Sequence, residues 1–129
     1  MRILIVEDDA CVGELLVKMV GPGHEMDVAP SYDLACALAG AKDYDAAFVD
    51  LMLKEELKGG VRVARMLRGK GVGRIMIVTG ATPDFLDEIK GDITGLVDSV
   101  VLKPFTVPEI LRALGAAKPQ ARKTEEGSC

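Results

Sequence analysis

The sequence has no tryptophan, few other aromatic residues and no long apolar run. No segment approaches the roughly 20 apolar residues that a membrane-spanning helix needs. Met1-Arg2 leads directly into an apolar segment, without the layout of a signal peptide. The formal net charge is -4, and no basic stripe interleaved with aromatic residues is present, which argues against a nucleic-acid-binding surface. We therefore expect a cytoplasmic protein that binds neither a membrane nor nucleic acid directly.

Cysteine and histidine are also scarce. Cys11, Cys36 and Cys129 are an odd number at wide spacings, and His24 is the single histidine. This pattern suits neither a disulfide framework nor a zinc site, so reduced cysteines are expected. By contrast, 49% of the 129 residues are hydrophobic, which suits one compact domain with its own core.

Five short apolar runs alternate with segments of helical periodicity. The runs that predict strands are residues 2–6, 25–29, 45–50, 74–79 and 99–102. The helical patterns cover 11–20, 31–40 with Ser31 as N-cap, a stretch from Val61, a stretch from Pro83 that weakens near Gly91 and Gly95, and a stretch from Pro108. Arg62, Arg65 and Arg68 are interpreted as a solvated basic face. The alternation predicts an α/β fold: a doubly wound five-stranded parallel sheet with helices on both faces. Residues 1–117 form the predicted domain, and 118–129 a polar tail that is predicted to be disordered.

Polar side chains follow four of the predicted strands at the point where each ends. They are Glu7, Asp8 and Asp9 after the first strand, Asp50 at the third, Thr79 at the fourth and Lys103 after the fifth. Because the strands are parallel, these residues should converge on one edge of the sheet, where open α/β folds bind ligands. Each residue alone would more often be a helix cap, a local hydrogen-bonding group or a solvated charge. The whole set at one edge favours a functional site.

Carboxylates gathered at one edge repel one another unless a cation compensates, and Mg²⁺ with oxygen ligands fits this need best. Such an ion could bridge a carboxylate and an incoming phosphoryl group. Lys103 could pair with the phosphoryl oxygens, and Thr79 could donate a hydrogen bond to them. From its position alone, Asp50 is a covalent nucleophile, a metal ligand or a structural cap.

The chain resembles a response-regulator receiver domain over residues 1 to about 117. The segments that carry the resemblance are Ile-Leu-Ile-Val-Glu7-Asp8-Asp9, Phe-Val-Asp50-Leu-Met-Leu, Ile-Val-Thr79-Gly80 and Leu-Lys103-Pro104-Phe105. The resemblance implies a flavodoxin-like sheet of order 2-1-3-4-5. It also implies that Asp50 accepts a phosphoryl group from a sensor histidine kinase or a histidine phosphotransfer protein, and that phosphorylation changes the binding of a downstream protein.

The resemblance further implies a role for each of the other site residues. Asp8 would bind Mg²⁺ directly, Glu7 through water, and Met52 through its backbone carbonyl, beside Asp50. Thr79 would be the switch hydroxyl, and Lys103 would pair with the phosphoryl group, with a cis peptide bond before Pro104. A domain of this kind catalyses only its own phosphorylation and dephosphorylation, so a turnover enzyme is not expected.

The sequence departs from the family pattern at three places. Lys54 stands where a proline is usual, in a loop before Gly60 that looks a residue or two longer. Val100 stands where a Tyr or Phe is common, and Leu96-Val97-Asp98 replaces the usual Gly-Ala pair. Nothing after Leu114 resembles an output domain, so a complete chain would be a stand-alone receiver.

Two other functions are compatible with the residues. A pseudo-receiver would keep the fold as an interaction module without phosphotransfer, although the intact set of site residues argues against it. A magnesium-dependent phosphohydrolase with an aspartyl nucleophile usually needs a second acidic residue shortly after the nucleophile. Leu51, Met52 and Leu53 provide none.

Overall fold

The computed structural model describes residues 1–53 and 59–115, in which strands and helices alternate. The elements are β1 Arg2–Val6, α1 Ala10–Val20, β2 Glu25–Ala29, α2 Tyr32–Ala41, β3 Ala46–Asp50, α3 Gly59–Gly69, β4 Arg74–Thr79, α4 Pro83–Glu88, α5 Lys90–Ile93, β5 Ser99–Leu102 and α6 Val107–Gly115. Three predictions concern residues outside the described ranges: the disorder of residues 118–129, the domain boundary at 117 and the longer loop around Lys54.

The five strands form one parallel sheet of order β2-β1-β3-β4-β5, which confirms the predicted fold. β1 lies next to β3 with Val6 opposite Val49, and β3 lies next to β4 with Asp50 opposite Val78. All five residues of β3 are buried. A central parallel strand covered on both faces is apolar along its whole length, and in β3 the run stops at Asp50.

Alternate residues of the strands contribute to two core layers, one on each face of the sheet. On one face, Ile3, Ile5 and Phe48 pack with Leu16 of α1 and Ile110 of α6. The other layer joins the remaining strand residues to α2, α3 and the α4–α5 segment, through residues that include Leu4, Val49, Ala35, Leu67 and Ile89. The helices thus fix the sheet from both sides and leave its carboxyl edge to the connecting loops.

Local signals account for most element boundaries. Ser31 caps α2 as predicted, and its hydroxyl accepts a hydrogen bond from the Leu34 amide. The pattern that begins at Pro83 forms two short helices instead of one, and the break falls at Ile89, which is fully buried. Gly91 and Gly95 lower the helix propensity of the residues after the break. The burial of Ile89 fixes the chain to the core at the point where the two short helices meet.

Arg68 and Arg62 of α3 make specific contacts, in contrast to the sequence interpretation of a solvated face, whereas Arg65 is exposed as expected. Arg68 donates hydrogen bonds to the carbonyl oxygens of Leu96, Val72 and Gly73, and it forms an ion pair of 2.9 Å with Asp98. The Arg62 guanidinium lies 3.9 Å from the centre of the Tyr32 ring. Helical periodicity places these residues on the outer face, but it cannot show which neighbouring segments cover that face.

Cys11 and Cys36 are free thiols in the described ranges, and Cys129 lies outside those ranges. In the part of the chain that the structure describes, no helix has both the length and the apolar character needed to cross a bilayer.

Candidate functional site

Three carboxylates meet at the carboxyl edge of the sheet. Glu7 and Asp8 follow β1, and Asp50 ends the adjacent β3. One carboxylate oxygen of each residue lies within 4.8 Å of the others. This is the convergence that the strand alternation predicted, and it follows from the neighbouring positions of β1 and β3.

Asp50 is held between a backbone amide and a cation. Its Oδ1 accepts a hydrogen bond of 3.2 Å from the Met52 amide, and its Oδ2 lies 3.5 Å from the Lys103 Nζ. Although the residue is only 7% exposed, it lies at the end of its strand, on the edge of the sheet. The Met52 side chain is partly exposed, and its backbone amide makes the contact with Asp50.

Glu7 is the most perturbed group of the cluster. Its Oε1 lies 3.3 Å from the Lys103 Nζ, and its Oε2 accepts a hydrogen bond of 3.2 Å from the Asp9 amide. Burial is the main cause that raises the pKa of Glu7, to about 7, and hydrogen bonding with Asp50 and repulsion from Asp50 add to it. Lys103 and the Asp9 amide oppose this shift without cancelling it.

Lys103 and Thr79 come from the next two strands. The Lys103 amide donates a hydrogen bond of 2.8 Å to the Thr79 carbonyl, and the peptide bond between Lys103 and Pro104 is cis, as expected. Thr79 is fully buried, and its Oγ1 accepts a hydrogen bond of 3.0 Å from the Ala81 amide. Because that contact uses the oxygen as acceptor, the hydroxyl proton remains available for a ligand.

Asp9 does not belong to the carboxylate cluster, although it is adjacent in sequence. It is the N-cap of α1, where its Oδ1 accepts hydrogen bonds from the amides of Cys11 and Val12. An aspartate directly before a helical pattern is a common capping signal, so the sequence could have distinguished Asp9 from its two neighbours.

An open apolar cavity of about 280 Å³ adjoins the site. Its lining consists of Met52, Gly80, Ala81, Thr82 and Phe85. The side chains at positions 52 and 81, which lie two residues after Asp50 and Thr79 in sequence, are therefore parts of one largely apolar surface.

The fold and the site together define a doubly wound α/β protein with an acidic, lysine-containing centre at the carboxyl edge of its sheet. The family model described as "Response regulator receiver domain" matches residues 3–115. The chain therefore belongs to the response regulator receiver domain family, which confirms the resemblance seen in the sequence and places the protein among two-component signalling proteins. Receiver domains are in general not turnover enzymes.

The similar curated proteins are longer than this chain. The "Probable transcriptional regulatory protein SilR" of Salmonella typhimurium is 35% identical over 112 residues, which is 86% of this chain and 48% of that protein. The "Transcriptional regulatory protein TcrA" of Mycobacterium tuberculosis is 32% identical over 126 residues, which is 95% of this chain and 49% of that protein. The chain thus spans about half the length of the curated relatives it matches.

Solved structures share the fold. A CheY-like receiver domain protein from Methanospirillum hungatei JF-1 has a TM-score of 0.81 at 20% identity, covering 95% of this chain and 97% of that one. A response regulator from Burkholderia pseudomallei has a TM-score of 0.74 at 27% identity, covering 98% of this chain and 74% of that one. The second structure contains a phosphorylated aspartic acid, a calcium ion and citrate.

Proposed function

We propose that Asp50 accepts a phosphoryl group from a sensor histidine kinase or a histidine phosphotransfer protein, with Mg²⁺, and that phosphorylation changes the affinity for a downstream protein. The observation that carries this proposal is the position of the Asp50 carboxylate, which ends a buried strand among Glu7, Asp8 and Lys103. The phosphorylated aspartic acid in the Burkholderia pseudomallei relative supports it.

The donor set of the site fits a hard divalent cation. Three carboxylates within 4.8 Å of one another offer oxygen ligands, and the single positive charge of Lys103 beside Glu7 and Asp50 is smaller than the charge of three ionised carboxylates. We infer that Asp8, Asp50 and the Met52 carbonyl bind Mg²⁺ directly and that Glu7 binds it through water. Mg²⁺ suits this site because it retains several waters and takes few protein ligands. When bound, it would neutralise charge on the phosphoryl oxygens.

The protein's own residues then have distinct roles in the transfer. A carboxylate oxygen of Asp50 forms a bond to phosphorus while the bond from phosphorus to the donor's imidazole nitrogen breaks, and the imidazole takes up a proton. Lys103, already 3.5 Å from Asp50, pairs with an oxygen of the transferred group. Thr79 donates its hydroxyl proton to another oxygen, which gives the phosphorylated state contacts that the free state lacks.

The proposal also covers the residue range of the domain and its location in the cell. We assign residues 1–117 to the receiver and place it in the cytoplasm, where it contacts neither DNA nor a membrane directly. Several relatives are named as transcriptional regulators, and this chain spans about half their length.

Intact-mass measurement tests the proposal. With Mg²⁺ and acetyl phosphate as a small phosphodonor, the protein should gain one phosphoryl group that is stable in acid and labile in base. Asp50→Asn should abolish this gain, whereas Asp33→Asn, at an exposed position in the first turn of α2, should not. Undiminished labelling of Asp50→Asn would overturn the assignment, and absence of labelling in the unmodified protein would favour the pseudo-receiver.

A further inference from the structure

Gly60 makes a backbone-to-backbone contact between α3 and the end of the phosphoacceptor strand. It is buried in the first turn of α3, and its amide donates a hydrogen bond of 2.8 Å to the Leu51 carbonyl. A Cβ atom on Gly60 would overlap the Asp50 carbonyl oxygen and would lie 2.6 Å from the Leu51 Cα. Any side chain at this position would therefore force the helix and the strand apart.

Gly69 and Gly13, which also lie in long helices, are in a different situation. A Cβ on Gly69, at the far end of the same helix, would meet nothing within 4 Å. A Cβ on Gly13 in α1 would meet a methyl group of Val28 at 3.1 Å, and a side chain can adjust. At Gly60 the three nearest atoms all belong to the backbone, so no rotamer change can relieve the overlap.

The backbone that Gly60 contacts is the backbone that orients Asp50. Asp50 and Leu51 precede Met52, whose amide donates to the Asp50 Oδ1. This segment is attached to the sheet, because the Leu51 amide donates to the Val78 carbonyl of β4. The helix is held in place as well, since Val61, Ala64 and Leu67 are buried in the core. A displacement caused at Gly60 would therefore be concentrated at the Asp50–Met52 turn.

We propose that Gly60 is a positioning residue of the phosphoacceptor site: its missing side chain allows α3 to hold the Asp50–Met52 turn in the geometry that binds Mg²⁺ and accepts the phosphoryl group. This inference rests on the proposed function of Asp50. The close contact with the Asp50 and Leu51 backbone requires a glycine at position 60.

Gly60→Ala is the direct test, and two variants in the same helix serve as controls. We expect Gly60→Ala to weaken Mg²⁺ binding about tenfold or more, as changes to groups that support metal ligands typically do, and to slow labelling by acetyl phosphate. Gly69→Ala should leave both unchanged. Leu67→Ala creates a core cavity and lowers the free energy of unfolding, and it should retain Mg²⁺ affinity. Unchanged affinity in Gly60→Ala, or equal weakening in Leu67→Ala, would contradict a positioning role.

Two further measurements distinguish failure of this inference from failure of the proposed function and from misfolding of the variant. In metal-free, unphosphorylated protein, the NMR signal of the Met52 amide should shift in Gly60→Ala and not in Gly69→Ala. This result does not depend on whether Asp50 can accept a phosphoryl group. If Gly60→Ala does not fold, hydrogen exchange on the unmodified protein decides. Mg²⁺ should slow exchange of the Gly60 amide more than that of the Val72 amide, which bonds to Leu67 at the far end of α3. Equal slowing would overturn the inference.

Discussion

The Lys103 Nζ lies 3.3 Å from the Glu7 Oε1, in an ion pair whose carboxylate is buried and whose ammonium is partly exposed. The pair does not hold the pKa of Glu7 at its ordinary value. Desolvation and the neighbouring Asp50 outweigh the lysine, and the pKa of Glu7 is raised from 4.5 to about 7. In metal-free protein, Glu7 therefore exchanges its proton close to neutral pH.

The first prediction is that metal-free protein loses stability as the pH rises. A carboxyl group whose pKa is higher in the folded than in the unfolded state stabilises the fold fully below about pH 4.5, and this contribution is lost as the pH rises through about 7. Within that window Glu7 should lower the free energy of unfolding by up to about 1.4 kcal/mol per pH unit. Urea unfolding between pH 5 and 8 measures the effect.

Glu7→Gln is the control for this prediction, because the amide has a similar shape and does not titrate. It is needed because the pKa values of Asp27 and Asp98 are lowered, and such groups contribute stability that is lost as the pH falls. The difference in unfolding free energy between the unmodified protein and Glu7→Gln isolates Glu7. Parallel pH profiles for the two proteins would contradict the raised pKa.

The second prediction distinguishes the two adjacent aspartates after β1. Asp8→Ala should lose Mg²⁺ binding, since it removes a carboxylate from the cluster of three. Asp9→Ala removes the N-cap of α1 and should lower the free energy of unfolding by about 1 kcal/mol, with Mg²⁺ affinity retained. Calorimetric titration of both variants checks this, and equal affinity in Asp8→Ala would place the metal elsewhere.

The strands could be predicted closely because each is a short apolar run that ends on a polar residue. The bounds of β1, β2, β4 and β5 agree with the sequence prediction, and β3 ends at Asp50 as expected. The convergence of the cluster followed from topology, since parallel strands bring their ends to one edge.

Features that depend on contacts between distant segments could not be predicted in the same way. Periodicity alone assigns Arg68 to the solvent-exposed face, because nothing in the pattern of α3 indicates that the segment before β5 passes its carboxyl end. The requirement for glycine at position 60 arises from the distance between two backbones, and no local pattern encodes that distance.

The third prediction concerns the lifetime of the phosphoryl group. Hydrolysis of an acyl phosphate needs a positioned water, and Met52 and Ala81 provide no polar side chain beside the site to hold one. Loss of the group should therefore be slow. Met52→Asn combined with Ala81→Glu should shorten the half-life, which intact mass followed over time measures. A half-life shortened little or not at all would count against this explanation.

The fourth prediction concerns where phosphorylation alters the protein. Val100 is smaller than an aromatic ring and nearly fixed at χ1, so its rotation can change the β5 surface very little. We expect phosphorylation to alter hydrogen exchange mainly in residues 80–84, which adjoin Thr79, and much less in β5 and α6. The comparison uses protein with and without a beryllofluoride phosphoryl mimic at Asp50. Changes concentrated in β5 and α6 would show that Val100 does not restrict the switch.

During synthesis the site residues leave the ribosome at different times. Glu7, Asp8 and Asp50 emerge in the first half of the chain, whereas Lys103, 96 residues after Glu7, emerges only with the last strand of the sheet. A nascent chain that ends near Gly80 would hold the carboxylates without their counter-charge. Self-repulsion among them would then oppose early closure of β1 against β3, unless a dissolved cation took the place of the lysine until synthesis was complete.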